Sequence, residues 1–170
     1  STQPLFVPSG SESGFKGVGA FTVPVNGSVN VTADFDVRKS VVKTGNQEHY
    51  ILKPVIRLVV DNQAGAIAGN VSNAPEDATV VVYAYEDGTY TENETIRETE
   101  ESPLFPNAVS SDIVCELNKY HIAFLAAGTY DLVVTTSVGE EDPQVAAIIE
   151  DVVVESNATT TYDIDFSNLQ

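Results

Sequence analysis

The sequence has a single cysteine, Cys115, and neither methionine nor tryptophan. One cysteine excludes a disulfide framework within the chain and a zinc site built from several thiolates. No apolar run approaches the roughly 20 residues of a membrane-spanning helix. G-x-S-x-G, H-E-x-x-H and P-loop motifs are absent, and the two histidines, His49 and His121, lie far apart in the sequence. The sequence therefore predicts a protein that is not an enzyme.

Basic residues are scarce, because 8 Lys and Arg against 25 Asp and Glu give a formal net charge of −17. Residues 1–60 hold six basic and four acidic residues, whereas residues 61–170 hold two basic and 21 acidic residues. Nucleic acid is excluded as a partner, since its binding requires a concentrated basic surface. The charge difference predicts two units. We expect domains at 1–62 and 63–170.

The first unit is predicted to be β-rich, because Val, Ile, Tyr and Phe fill its apolar runs. Asn26-Gly27 predicts a tight turn. The alternation of apolar and polar residues breaks after Asp36, which is placed to cap one short helical turn. Pro54 favours an edge or a bulge within an otherwise continuous strand. The predicted strands are 19–25, 29–36 and 49–60.

Short strands recur at regular spacing in the second unit and are separated by turn residues. This pattern predicts an all-β sandwich of about seven strands. The one long interruption, from residue 86 to about 112, is acidic and polar, and a loop of that length in a compact domain is functional or mobile. The predicted strands are 65–72, 78–85, 119–125, 129–137, 144–155 and 160–166.

Three segments of the second unit carry a family resemblance: GAIAGNV (65–71), VVVYA (80–84) and FLAAGTYDLVV (124–134). They resemble the carboxypeptidase regulatory-like domain. The resemblance implies a transthyretin-like (prealbumin-like) sandwich and an accessory, non-catalytic role. It also implies a hairpin in which Gly128 supplies a positive-φ turn position.

The first unit resembles a second family through VPSGSESGFK (7–16) and the stretch from Ala33 to Val59. This is the C-terminal part of an uncharacterised domain family of bacterial surface lipoproteins. The resemblance implies a bacterial location outside the cytoplasm, either extracellular on the outer-membrane surface or in the periplasm. It also implies a parent chain that is lipid-anchored and not membrane-spanning.

Tyrosines provide a candidate ligand-binding site. Tyr83 and Tyr85 lie on one face of a predicted strand, and Tyr90 follows closely. An exposed aromatic platform would stack on the apolar face of a sugar ring, which suggests a carbohydrate-binding module. The competing interpretation is that Tyr83 and Tyr85 pack against the second layer of the sandwich.

Acidic side chains provide a candidate Ca²⁺ site, because calcium takes six to eight oxygen ligands. No other cofactor is expected. The competing interpretation is that the acids are solvated, and that those of the first unit cap a helix and form ion pairs. The candidate ligands are Glu86, Asp87, Glu92, Glu94, Asp34 and Asp36, with Glu98, Glu100 and Glu101 nearby in the insertion.

The sequence thus predicts a non-catalytic lipoprotein module of the bacterial cell surface or periplasm, with a structural or adhesive role and a surface glycan or protein as partner. One alternative is a carbohydrate-binding module resembling starch-binding sandwiches, with or without calcium. Another is an accessory domain of an enzyme in the parent chain. We also expect the first unit to add strands to the edge of the acidic sandwich and to neutralise part of its charge.

Overall fold

The computed structural model describes residues 4–8, 14–15, 17, 21–44, 49–97, 99, 102–139 and 141–169. Three of the acids considered as metal ligands, Glu98, Glu100 and Glu101, lie outside the described residues. Within the described part, no helix combines the length and the apolar character needed to cross a membrane.

The first unit contains two small sheets and one short helix. Its elements are β1 (Leu5–Phe6), β2 (Val31–Phe35), α1 (Val37–Ser40), β3 (Val41–Thr44), β4 (His49–Leu52) and β5 (Ile56–Val60). One sheet has the order β1-β4-β3, and the other is the antiparallel pair β2-β5. Asp36 caps α1 through its side chain, as the sequence predicted.

The prediction of one strand over 49–60 is wrong. The chain leaves the extended ladder at Lys53–Val55, so that β4 and β5 belong to different sheets. Pro54 accounts for the break, because it has no N–H to donate and its φ is fixed.

The predicted strand over 19–25 is also wrong for its described part, since residues 21–25 form no strand. The tight turn at Asn26-Gly27 is confirmed: Asn26 has φ 61° and the Gly27 N–H donates to the Pro24 carbonyl at 2.9 Å.

The second unit is a β-sandwich. Its strands are β6 (Ala64–Ser72), β7 (Ala78–Glu86), β8 (Ser110–Ile113), β9 (Lys119–Ala126), β10 (Gly128–Val138), β11 (Gln144–Val154), β12 (Thr159–Thr161) and β13 (Ile164–Asp165). One sheet has the antiparallel order β11-β10-β7-β8. In the other, β6 pairs antiparallel with β9 and parallel with β12 and β13. The predicted all-β class and the sandwich are confirmed, although β8 lies in the stretch predicted as a loop.

The sheet containing β7 and β10 is covered on both faces. Its inner face, with Val82 and Leu132 fully buried, packs against Ile67 and Ile122 of the β6–β9 sheet. Its outer face carries Val133 and two tyrosines and packs beneath the insertion between β7 and β8. Both faces of β7 are therefore buried, which explains its continuous apolar sequence.

Gly69 in the opening motif of β6 permits close approach of the C-terminal segment. A Cβ atom there would overlap the carbonyl of Tyr162. Gly128 has no such role and lacks a positive φ, so the predicted hairpin is wrong. The chain instead passes from β9 in one sheet to β10 in the other. The Tyr130 hydroxyl donates to the Ala126 carbonyl at 2.9 Å beside this crossing.

Among the described residues, no strand of the first unit pairs with a strand of the sandwich. The expected addition of strands to the sandwich edge is therefore wrong. A 3-10 turn at Asp61–Gln63 joins β5 to β6 at the place where we predicted the domain boundary. The boundary itself stays a prediction.

Candidate functional site

The insertion between β7 and β8 folds over the outer face of the sandwich. A 3-10 helix, Glu92–Thr95, begins with a capping box in which Thr91 and Glu94 satisfy each other's backbone N–H groups. Phe105 is fully buried, and its ring stacks on Tyr83 with 4.3 Å between centroids and 26° between planes. The stretch predicted as a functional or mobile loop is thus packed onto the sheet in its described part.

Glu94 anchors this insertion through its buried carboxylate. The Tyr85 hydroxyl and the Asn107 backbone N–H donate to Oε2 at 2.9 and 3.0 Å. The Asn107 side-chain amide and the Thr91 N–H donate to Oε1 at 3.1 and 3.3 Å. Both oxygens of the carboxylate are therefore engaged. Burial, followed by the hydrogen bond to Glu94, raises the pKa of Tyr85.

The predicted tyrosine platform is not presented to solvent. Tyr83 is 5% exposed and Tyr85 is 0% exposed, because the insertion covers them. Tyr90 is half-buried and meets Tyr85 edge-on at 5.2 Å between centroids. The competing interpretation is also wrong in detail, since Tyr83 and Tyr85 lie on the face opposite the second sheet.

Helix α1 connects the first unit to the insertion. Arg38 Nη1 donates to the carbonyls of Leu104 and Phe105 at 2.6 and 3.2 Å. Lys39 Nζ donates to the carbonyl of Ala108 at 2.5 Å. We call these two cations and three carbonyls the latch. Burial lowers the pKa of Lys39.

Arg38 is held from a second side by an aromatic ring. Its guanidinium carbon lies 4.9 Å from the centroid of the Tyr83 ring, which places the charge over the π face. Tyr83 therefore contacts Phe105 of the insertion as well as Arg38 of the first unit. One side chain of the sandwich thus packs against both partners of the latch.

The two aspartates of the first unit are engaged with neighbours. Asp34 forms an ion pair with Arg57 at 2.6 Å. Asp36 accepts the Lys39 N–H at 3.0 Å as the cap of α1, and its carboxylate lies 3.8 Å from Arg38 Nη2 and 3.9 Å from Lys39 Nζ. The interpretation as a helix cap with ion pairing is confirmed.

The structure does not bring the candidate calcium ligands together. Glu86, Asp87 and Glu92 are exposed, whereas Glu94 is buried among its donors. Across the described ranges, no group of three or more His, Cys, Asp or Glu side chains is arranged to hold a metal ion.

The sequence-based prediction missed the residues that join the two units. Asp36 was identified as a helix cap with ion pairing to nearby cations, but no contact of Arg38 and Lys39 with the second unit was predicted. A usable pattern existed for Glu94: Thr91-x-x-Glu94 is a capping-box sequence, and it would have placed a helix start inside the insertion.

Part of the chain matches a known sequence family. Residues 1–54 match the profile of a domain of unknown function, DUF4382. This agrees with the predicted resemblance of the first unit to an uncharacterised domain family. No curated protein sequence matches the chain.

Solved structures give weak likenesses. The minor pilin GBS52 of Streptococcus agalactiae is 16% identical with a TM-score of 0.37, over 70% of this chain and 49% of that one. The major pilin BcpA of Bacillus cereus is 13% identical with a TM-score of 0.33, over 68% and 32%. A Bacteroides fragilis protein assigned provisionally to cell adhesion is 7% identical with a TM-score of 0.30, over 72% and 46%. The chain thus spans half or less of these structures, and the similarity is too low to assign a function.

Proposed function

We propose that the chain is a non-catalytic structural or adhesive module of a bacterial lipoprotein, placed at the cell surface or in the periplasm. In this proposal, residues 1–62 and the carboxypeptidase regulatory-like sandwich of residues 63–170 act as one rigid body. The module's task is to hold its two ends at a fixed orientation.

The latch is the observation that supports this proposal. Arg38 and Lys39 come from the first unit, and the carbonyls that they reach belong to an insertion that Glu94 holds on the sandwich. Hydrogen bonds from charged donors are roughly twice as strong as neutral ones.

The surroundings of the histidine in the sandwich are consistent with a non-catalytic role. His121 is exposed on β9, and its backbone N–H donates to Asp112 Oδ2 at 2.7 Å. The aspartate thus bonds the main chain of the strand and not the imidazole, which is unlike the orienting carboxylate of a catalytic triad.

The test is the cooperativity of unfolding. We expect the whole chain to unfold in one transition with equal calorimetric and van't Hoff enthalpies. The double variant Arg38→Met, Lys39→Met should separate the first unit from the sandwich and give two transitions, the first at a lower temperature. Arg97→Met is the matched control, because Arg97 pairs at 3.1 Å with Asp142 on the sandwich surface outside the latch.

Two results would contradict a rigid module. One is a wild-type chain that already unfolds in two separate steps. The other is a double variant whose single transition and midpoint equal those of Arg97→Met.

A further inference from the structure

The part of the insertion that covers Tyr83 is held from two sides. We call residues 104–108 the covering segment. From the side of the sandwich, the buried Phe105 ring stacks on Tyr83, and Asn107 bonds the Glu94 carboxylate through its backbone and its side-chain amide. From the side of the first unit, all three carbonyls of the latch belong to this segment. The closed position of the covering segment therefore depends on both units.

The backbone of the covering segment is strained at Phe105. Its φ of 53° lies in the left-handed region, where the Cβ of an aromatic residue crowds the main chain. Such a conformation persists only where the surroundings fix it, and residues of this kind cluster at clamps and switch regions. Arg38 is one of the groups that fix it, because its guanidinium binds the carbonyls of Leu104 and Phe105. Loss of Arg38 should therefore favour a relaxed backbone.

The latch also satisfies carbonyls that have no other donor. Across the described residues, the carbonyls of Leu104 and Ala108 receive no hydrogen bond from a backbone N–H. Their donors are Arg38 and Lys39, both from the first unit. A buried carbonyl without a donor is costly, and exposure to water removes that cost. When the two cations leave, the open position of the covering segment becomes the better hydrated one.

The surface beneath the covering segment is aromatic and apolar. The Tyr83 ring is covered by the Phe105 ring at 4.3 Å between centroids and by the Arg38 guanidinium at 4.9 Å. Val133 lies in the same buried cluster on the neighbouring strand. Departure of the first unit removes the guanidinium directly. Opening of the covering segment then removes the phenyl ring, so that this sheet face meets water.

We propose that docking of the first unit controls access to Tyr83. With α1 docked, the latch keeps the covering segment closed; when α1 moves away, the segment opens and uncovers the ring. The sandwich thus presents an aromatic contact surface only when the two units are apart. This inference rests on the proposed joining of the two units by the latch, and it adds a change within the sandwich itself.

The experiment is amide hydrogen exchange, measured by NMR on the whole ¹⁵N-labelled chain and on its double variant Arg38→Met, Lys39→Met. The N–H groups of Phe105, Asn107 and Ala108 each donate to an acceptor within the insertion. We expect all three to exchange at least about tenfold faster in the double variant, because local opening exposes them and a hydrogen bond from a charged donor contributes enough for that factor. Each single variant should have a smaller effect on the same amides.

Reference amides and a matched control separate local opening from a general loss of stability. Leu132 and Val134 are fully buried on β10, which is paired on both sides, and their exchange should change much less. Lys53→Met is the control variant, since Lys53 is an exposed cation of the first unit and no described residue forms an ion pair with it. It should leave the covering segment as protected as in the wild type.

A second measurement reports the ring itself. Photochemical nuclear polarisation with a flavin dye enhances the NMR signals of tyrosines that the dye can reach. Tyr83 is 5% exposed and should be silent in the wild type, whereas Tyr162 is 38% exposed and serves as the positive reference. We expect the Tyr83 signal to be enhanced in the double variant and not in Lys53→Met.

The control of access is overturned if the three amides keep their wild-type exchange in the double variant, or if they accelerate no more than the β10 amides. A Tyr83 ring that stays silent in the double variant would also overturn it. Its failure is distinguishable from that of the rigid module. Two unfolding transitions with a protected covering segment support joined units and refute controlled access, whereas an unchanged single transition with faster local exchange does the reverse.

Discussion

Replacement of Glu94 by alanine should destabilise the protein more than replacement of any other acid in the described part of the insertion. Four donors lie within 3.3 Å of its carboxylate oxygens, and one of them, the Tyr85 hydroxyl, has no exposure to water. A hydrogen bond to a charged group contributes about 1.5–3 kcal/mol, and a buried donor left without an acceptor costs about 1–3 kcal/mol. Asn107 and Thr91 are exposed and can rebind water. We therefore expect a loss of about 3 kcal/mol in the free energy of unfolding.

Two further variants separate charge from shape. Glu94→Gln keeps the volume but places an amide NH₂ against two donors, whichever way it is oriented, and should cost about 1–2 kcal/mol. Tyr85→Phe removes the hydroxyl that Glu94→Ala would leave without an acceptor. Glu94→Ala should therefore destabilise the Tyr85→Phe protein less than the wild type, with a double-mutant coupling free energy of about 1 kcal/mol.

The assay is urea unfolding followed by far-ultraviolet circular dichroism, because the chain has no tryptophan. A change in midpoint at constant slope reports stability alone. A loss of about 3 kcal/mol should lower the melting temperature by about 6–12 °C in a protein of this size. Glu92→Ala is the matched control, since Glu92 is exposed in the same 3-10 helix and should change stability by less than about 0.5 kcal/mol. A Glu94→Ala variant as stable as Glu92→Ala would refute the anchoring role.

Two more predictions follow from the geometry. Gly69→Ala should destabilise the protein by about 2 kcal/mol or more, because its Cβ would overlap the Tyr162 carbonyl. Gly128→Ala should change stability by less than about 0.5 kcal/mol, since only the Tyr130 ring lies within 4 Å of the added Cβ, at 3.8 Å. Equal urea midpoints for the two variants would contradict this prediction. Burial raises the pKa of Tyr85 and Tyr120 above the ordinary 10.0. These two tyrosines therefore contribute their full share of the folding free energy below about pH 10. That contribution is lost as pH rises, because their hydroxyls ionise first in the unfolded state. Urea midpoints that stay level above about pH 10 would count against it.

The sandwich was predictable because its strands are encoded locally. Strands β6, β7, β9, β10 and β11 differ from their predicted bounds by one residue at most at either end. Each carries its own apolar run and is bounded by turn residues. The splitting of 49–60 at Pro54 was missed. The sequence suggested an edge or a bulge within one strand, and the break depends on which neighbouring strand each half pairs with.

The site was less predictable, because its parts are distant in sequence. Tyr83 and Tyr85 were identified as a pair on one strand face, but local alternation cannot show which layer covers that face. The covering residues, Leu104 and Phe105, lie about twenty residues later in a segment whose polar composition suggested a loop. Glu94 is one polar residue of this segment with a structural reason, because hydrogen-bond donors converge on its buried carboxylate.

The two units differ in net charge, but among the described residues they are not joined by ion pairs between basic and acidic side chains. All four salt bridges of the described residues lie within one unit or the other. The cations that cross the boundary, Arg38 and Lys39, donate to backbone carbonyls and not to acids. Because carbonyl positions are fixed by the chain and not by flexible side chains, such bonds specify orientation more closely than surface ion pairs do. The junction is thus set by bonds to backbone carbonyls and not by the acidic side chains of the sandwich.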